Sequence, residues 1–192
     1  MTDTGYLLGL VIGPVQPFIE AARRTRDLWF GSTILSRVAK AAAKSLRDAG
    51  AQSVFPSPEV DVEPQSDSIV ANKIVAFFPA DDLAQAKGHL DRAKKSAQGW
   101  WEQMANDAKG DLERFVSDRK ITSPIDSDRW NEQIGGVIEV YAACKRVASD
   151  AEFRNARDRL DELLAARKCT RDFRQTGFDK RGRPLPMGIP KS

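Results

Sequence analysis

The chain of 192 residues contains a single histidine, His89. A Ser-His-Asp or Cys-His hydrolase would have to be built on that one imidazole, and nothing around it is spaced to help. An HD-type nuclease centre needs several His and Asp ligands and is excluded for this chain. The two cysteines, Cys144 and Cys169, form no C-x-x-C pair, and one histidine cannot complete a zinc set with them. They read as free thiols of a reducing compartment. No apolar run approaches the ~20 residues of a membrane span. The opening MTDTGYLLG has no basic segment before its apolar run, so it does not read as a signal peptide, and the expected location is the cytoplasm. No Gly-Lys-Ser/Thr follows a glycine loop, which removes a Walker-type phosphate cradle. Charge of one sign is also lacking: 30 Lys+Arg face 27 Asp+Glu, and a net charge of +3 does not by itself call for nucleic acid.

What is present is an ordinary globular composition, 41% apolar and 30% charged, sized for one domain with an extension. Tyr6–Ile12 is an unbroken apolar run, the pattern of a strand buried on both faces, closed by Gly13-Pro14. Pro17 suits the first turn of a following helix. Gly31 is expected to interrupt that helix before a second stretch with Leu35, Val38, Ala42 and Leu46 on one stripe and Gly50 at its C-terminal cap. Ser53–Phe55 and Lys73–Phe78 read as strands, separated by a proline-rich, acidic loop. After Pro79, Asp81 or Asp82 can cap a helix whose apolar positions run Leu83, Ala86, Leu90, Ala93, Ala97, Trp100, Met104, Ala108. That is one face over about seven turns at 3.6 residues per turn.

Asp107–Arg119 reads as a further short helix, Ser123–Asp128 as loop, and Ile134–Ala143 as a strand opened by Gly135-Gly136. Ser149 and Glu152 have capping-box spacing ahead of a helix carrying Phe153, Ala156, Leu160, Leu163 and Leu164. From Arg167 the chain is basic and aperiodic. The order is βαββαβ plus a helix, which predicts an α+β, ferredoxin-like palm domain: a four-stranded antiparallel sheet with its two long helices on one face. We place this domain at residues 1–147 and a helix with the start of a further segment at 148–192. Such a fold hosts many functions and does not choose among them. An RNA-recognition module shares the order, but Asn72–Phe78 lacks the glycines of its signature.

The acids Glu59, Asp61, Glu63 and Asp67 read as a solvated loop, and His89 and the Trp100-Trp101 pair as packing residues. The segment from Ile12 to Ser32 says most. A buried strand ends in Gly-Pro and a helix begins, so free N–H groups face the strand end and favour an anion there. Arg23, Arg24 and Arg26 follow, then Trp29 and Gly31-Ser32. These residues suit either a nucleotide or phosphate site or a solvated basic helix face with a packing tryptophan.

The wording IGPVQPFIEAARRTRDLWFGSTILS resembles the start of the first palm domain in the large subunit (the Cmr-two or Cas-ten family) of type III-B CRISPR effector complexes. VFP with ANKIVAFF, IEVYAA, ARKCTRDF and the final MGIPKS are similar to later blocks of that family, in order. The resemblance implies two facing palms with two ATP molecules between them. Target-RNA pairing to the guide RNA then triggers joining of ATP into cyclic oligoadenylates, messengers of antiviral defence. The catalytic GGDD hairpin and its Mg²⁺ belong to the second palm. It also implies a chain that starts at the palm without an HD domain and stops partway through the subunit.

This palm would be non-catalytic, since its first strand ends in Ile12-Gly13-Pro14 and no GGDD lies between Phe55 and Lys73. Phosphoryl transfer with two metals needs acids at both places. The resemblance assigns nucleotide contact to Gly13, Gln16, Asp27, Trp29, Gly31, Ser32 and Asn72, with Ser32 near the adenine. It assigns phosphate or RNA contact to Arg23, Arg26 and Arg171, and no metal ligand. The implied partners are the other Cmr subunits, guide and target RNA and the second palm. An alternative is a non-catalytic scaffold that docks partner subunits and guide RNA, with the basic tail on the RNA.

Overall fold

The computed structural model describes residues 4–79, 82–120 and 126–169. Arg171 with the basic tail from residue 170 on and MGIPKS, Asp81, and residues 123–125 of the expected loop lie outside the described residues, whereas Arg167 and Lys168, expected to open an aperiodic tail, form the last turn of a helix. The first strand, β1 (Gly5–Gly13), is followed by a short helix α1 (Gln16–Ala21) and a long one, α2 (Thr25–Asp48). Strands β2 (Gln52–Phe55) and β3 (Lys73–Phe78) come next, then helices α3 (Leu83–Asp118) and α4 (Ser127–Gly135). Strand β4 (Glu139–Val147), a 3-10 turn and helix α5 (Phe153–Cys169) complete the order. The strands form one antiparallel sheet in the order β2-β3-β1-β4, the ferredoxin-like arrangement.

The unbroken apolar run of β1 is explained by its place between β3 and β4, with a helical layer on each side. Successive strand side chains point to opposite faces. Leu8, Leu10 and Ile12 join the core with α2 and α3, meeting Ile34, Leu35, Val38 and Leu46 on one helix and Ala86, Leu90, Ala93 and Ala97 on the other. Leu7 points to the second face, where α5 lays Ala156, Leu160 and Leu164 on the sheet with Val75, Phe77, Ala143 and Val147. Gly9 lets α5 come close: a Cβ there would stand 2.9 Å from Leu164 Cδ1 and 3.0 Å from Leu160 Cδ2.

Both glycine and acid punctuation act as expected at two helix ends. Gly50 follows α2 with φ +88°, a backbone state glycine adopts freely. Asp82 caps α3 by accepting the Ala84 N–H at 2.9 Å. His89 is buried against Phe78, with ring centroids 4.1 Å apart, a packing role.

Elsewhere the structure corrects the sequence reading. Gly31 does not interrupt the helix; α2 runs through it, and the break falls at Ala22–Arg24. A glycine inside a helix costs only about 1 kcal/mol, whereas Asp27 supplies a local stop signal by accepting the N–H groups of Arg23 (3.3 Å) and Arg24 (3.1 Å). The segment 107–119 is no separate helix but the end of α3, which runs 36 residues. Within α3 the buried tryptophan is Trp101, whose indole N–H donates to the Ile134 carbonyl at 2.9 Å, while Trp100 is half-buried.

Residues 127–135 are helical because the Asp126 carboxylate accepts the Asp128 and Arg129 N–H groups, both at 3.1 Å. Gly135 therefore ends a helix, and β4 begins only at Glu139. Ser149 precedes the 3-10 turn Asp150–Glu152, and its side chain makes no cap bond, so the expected capping box is not formed.

Candidate functional site

The end of β1 is tied to the start of β3. The Ile12 N–H donates to the Asn72 carbonyl at 2.8 Å, and the Asn72 side-chain amide donates to the Ile12 carbonyl at 2.9 Å. Asn72 is thereby held at the residue before Gly13, just ahead of the neighbouring strand β3. Across the sheet Gly13 pairs with Glu139, whose carboxylate accepts the Tyr141 hydroxyl at 2.6 Å. Lys73, next to Asn72, reaches Asp161 of α5 at 2.7 Å. The strand end thus gathers Gly13 of β1, Asn72 just ahead of β3, and Glu139 of β4. Of these, Glu139 is not a candidate from sequence, although it lies inside the stretch Ile134–Ala143 read as a strand, because its neighbour Gly13 is brought to it only by the sheet.

After Gly13 the chain turns through Pro14 into α1, which has six residues and no side-chain cap. So short a helix offers little of the macrodipole that an anion would feel at its start. Gln16 in its first turn is exposed. The longer α2 begins at Thr25, and its first free N–H groups are flanked by Asp27, whose carboxylate already takes the two N–H groups that precede the helix. Asp27 is therefore engaged in capping, with Arg26 Nε 3.7 Å from it.

The 100° step between helix residues separates the other candidates. Gly31 faces inward, where it and Asp27 line an apolar groove of ≈ 330 Å³ together with Phe30, Trp101, Met104 and Trp130. Ser32 and Trp29 face outward, Trp29 being 68% exposed and Phe30 59%. Arg23 and Arg26 are exposed beside them. The structure therefore joins Gly13 to Asn72 and Asp27 to Gly31, while Trp29 and Ser32 sit on another side of α2. Trp130 was missed with α4. The Asp126 cap ahead of Trp130 and Ile134 was the available signal.

Among the described residues no three His, Cys, Asp or Glu side chains gather as a cation site would require. One acid of the 56–72 loop serves α2 instead. Glu63 pairs with Lys44 at 2.6 Å. Lys40, 1% exposed, donates to the Ser66 carbonyl at 2.6 Å and its hydroxyl at 3.1 Å. Burial, then the nearby Arg37 charge, lowers the Lys40 pKa, and Asp61 and Asp67 oppose that shift. Among the described residues no helix is long and apolar enough to cross a membrane.

Fold and strand end together define an α+β domain of the ferredoxin-like, palm-like class, with a strand terminus that carries no acid of its own. Residues 7–106 match the family described as CRISPR-associated protein Cmr2, N-terminal, so the chain belongs to that family. It is thus part of the large subunit of a type III-B CRISPR effector complex, a defence assembly in which it works with other subunits. No curated protein matches the chain.

Proposed function

We propose that this palm forms one wall of an ATP site used for cyclic oligoadenylate synthesis, with the reacting metals held by a second palm. The observation that carries the reading is the strand end. Asn72 is fixed to Ile12 beside Gly13, in the family's own Gly-Pro turn, with Gln16 exposed just beyond it. A nucleotide laid there would meet backbone at Gly13 and amides from Gln16 and Asn72. Ser32 and Trp29 offer a hydroxyl and an indole face for a base, and Arg23 and Arg26 lie exposed for phosphate. Asp27 and Gly31 act on the site indirectly in this reading, Asp27 by fixing the start of α2.

Mg²⁺ would supply charge neutralisation of the phosphates. The described residues of this chain offer no donor set for it, so no step is assigned to the metal here. The palm's own task is to bind and orient. The test is Ser32→Ala in the complete effector complex. Output of cyclic oligoadenylate on adding target RNA should fall, and unchanged output would overturn the assignment.

A second reading is a docking scaffold for partner subunits and guide RNA. Its support is the exposed cluster of Ile19, Leu28, Trp29 and Phe30 beside Arg23, Arg24 and Arg26. Aromatic faces interleaved with guanidinium groups suit single-stranded RNA as well as protein. RNA held this way would bind more weakly as salt rises, and an affinity indifferent to salt would argue against it.

A further inference from the structure

The C-terminal half of α2 and the middle of α3 border a cleft of ≈ 530 Å³, open to solvent and well removed along α2 from Trp29 and Ser32. It opens because Ala41 and Ser45 of α2 and Ala49 at its C-cap, at steps of four, are all small, with Lys44 and Asp48 of α2 also lining it. Opposite them α3 presents Arg92, Ser96 and Trp100, also at steps of four. Pro64, from the loop between β2 and β3, borders the cleft. That loop is held on α2 by Lys40, by Lys44 through Glu63, and by Arg47, which donates to the Pro58 and Val60 carbonyls at 3.2 and 3.0 Å.

The two cations of the cleft differ. Lys44 stands between Glu63 at 2.6 Å and Asp48 at 3.6 Å, so its charge is already matched. Arg92 has no carboxylate partner among the described residues. It donates to the Gly88 carbonyl at 3.3 Å and, at 2.9 Å, lies against His89 Nδ1. That geometry needs an unprotonated Nδ1, and burial first, then the Arg92 charge, lowers the His89 pKa and keeps the ring neutral. Arg92 is thus held in place with N–H groups left over. Ser96 Oγ donates to the Ala41 carbonyl at 3.2 Å and keeps its lone pairs for an incoming donor. Trp100 is half-buried and brings a ring to the same space.

We propose that this cleft binds a small ligand joining an anionic group to a planar ring, the chemistry of a nucleoside monophosphate, with Arg92 on the phosphate and Trp100 against the base. The site goes beyond the ATP wall at the strand end and shares no residue with it. A guanidinium gives charge-assisted, often bidentate hydrogen bonds to phosphate. An indole face stacks any base and so selects for a ring without selecting which one.

The test is titration of the 192-residue chain with AMP, followed by calorimetry and tryptophan fluorescence, with inorganic phosphate as the second probe. AMP is expected to saturate and phosphate alone to bind more weakly. Arg92→Gln should weaken AMP about tenfold, the loss of a charge-assisted bond. Ser45→Leu should abolish binding by filling the cleft, with circular dichroism showing the fold intact. Trp100→Phe should keep the binding heat and lose the fluorescence change. Absence of saturation, or saturation untouched by Arg92→Gln and Ser45→Leu, overturns the proposal. Phosphate binding as tightly as AMP overturns its aromatic half.

Discussion

The two faces of the sheet are built differently from one strand. On the α2/α3 face β1 offers Leu8, Leu10 and Ile12, all fully buried, against two long helices. On the α5 face it offers Leu7, Gly9 and the partly buried Val11 against a single helix. The first face fills space with side chains. The second removes a side chain at Gly9 so that Leu160 and Leu164 can approach the backbone. One face is a large core that tolerates little loss of volume, the other a close contact that tolerates little gain.

Leu10→Ala should break the first face with the largest effect. It creates a cavity under α2 and α3 and should cost about 2–5 kcal/mol, read from denaturant midpoints. A loss below 1 kcal/mol would mean that the face collapses around the gap. Gly9→Val should break the second face by overpacking it, at about 1–3 kcal/mol. Its signature is faster hydrogen exchange in α5 than in α2. Adding Leu164→Ala should restore part of the loss, a non-additivity that only a shared contact produces. Asp27→Ala should cost ~1 kcal/mol by removing the cap at the start of α2, with fraying confined to that end in amide exchange.

The smallest effect is a pH dependence from His89, whose ring packs on Phe78 at the edge of the larger core. Its folded pKa is lowered by burial and by Arg92. The unfolded chain therefore binds a proton that the folded chain resists. Stability from this group is complete above about 6.5, the ordinary value, and declines as pH falls from there toward the lowered folded value. His89→Phe should flatten that part of the stability–pH curve. An unchanged curve would show that the ring is not the group titrating.

Legibility followed how local the signal was. Strands β1, β2 and β3, and the buried stripe of α2, were readable from apolar runs and helical spacing, because burial alone sets those patterns. The helix interruption was misread at Gly31, since the side chain that decides it is Asp27, bonding to backbone just upstream. The apolar spacing puts Trp100 on the core stripe, but of the tryptophan pair it is Trp101 that is buried and Trp100 that lies at the core's edge, because a one-residue rotation on a helix is settled only by what the partner offers. Here the partner is the carbonyl of Ile134 on α4. Of the candidate site, Gly13 and Asn72 meet through hydrogen bonds between residues 60 apart, a contact that spacing does not encode.

The sequence by itself determined the βαββαβ order, the family, and the lack of residues for several chemistries. The order and the missing chemistries follow from residue type and period, the family from the resemblance of whole segments. Only the tertiary structure decided which faces of α2 and α3 border a cleft, and that α5 covers the second face of the sheet. It alone showed that Lys40 is buried on a loop carbonyl and that Asp27 caps a helix at the edge of the site. Each depends on which segments meet across the fold, and pairing between distant segments is chosen by packing and hydrogen bonding, which no local pattern carries.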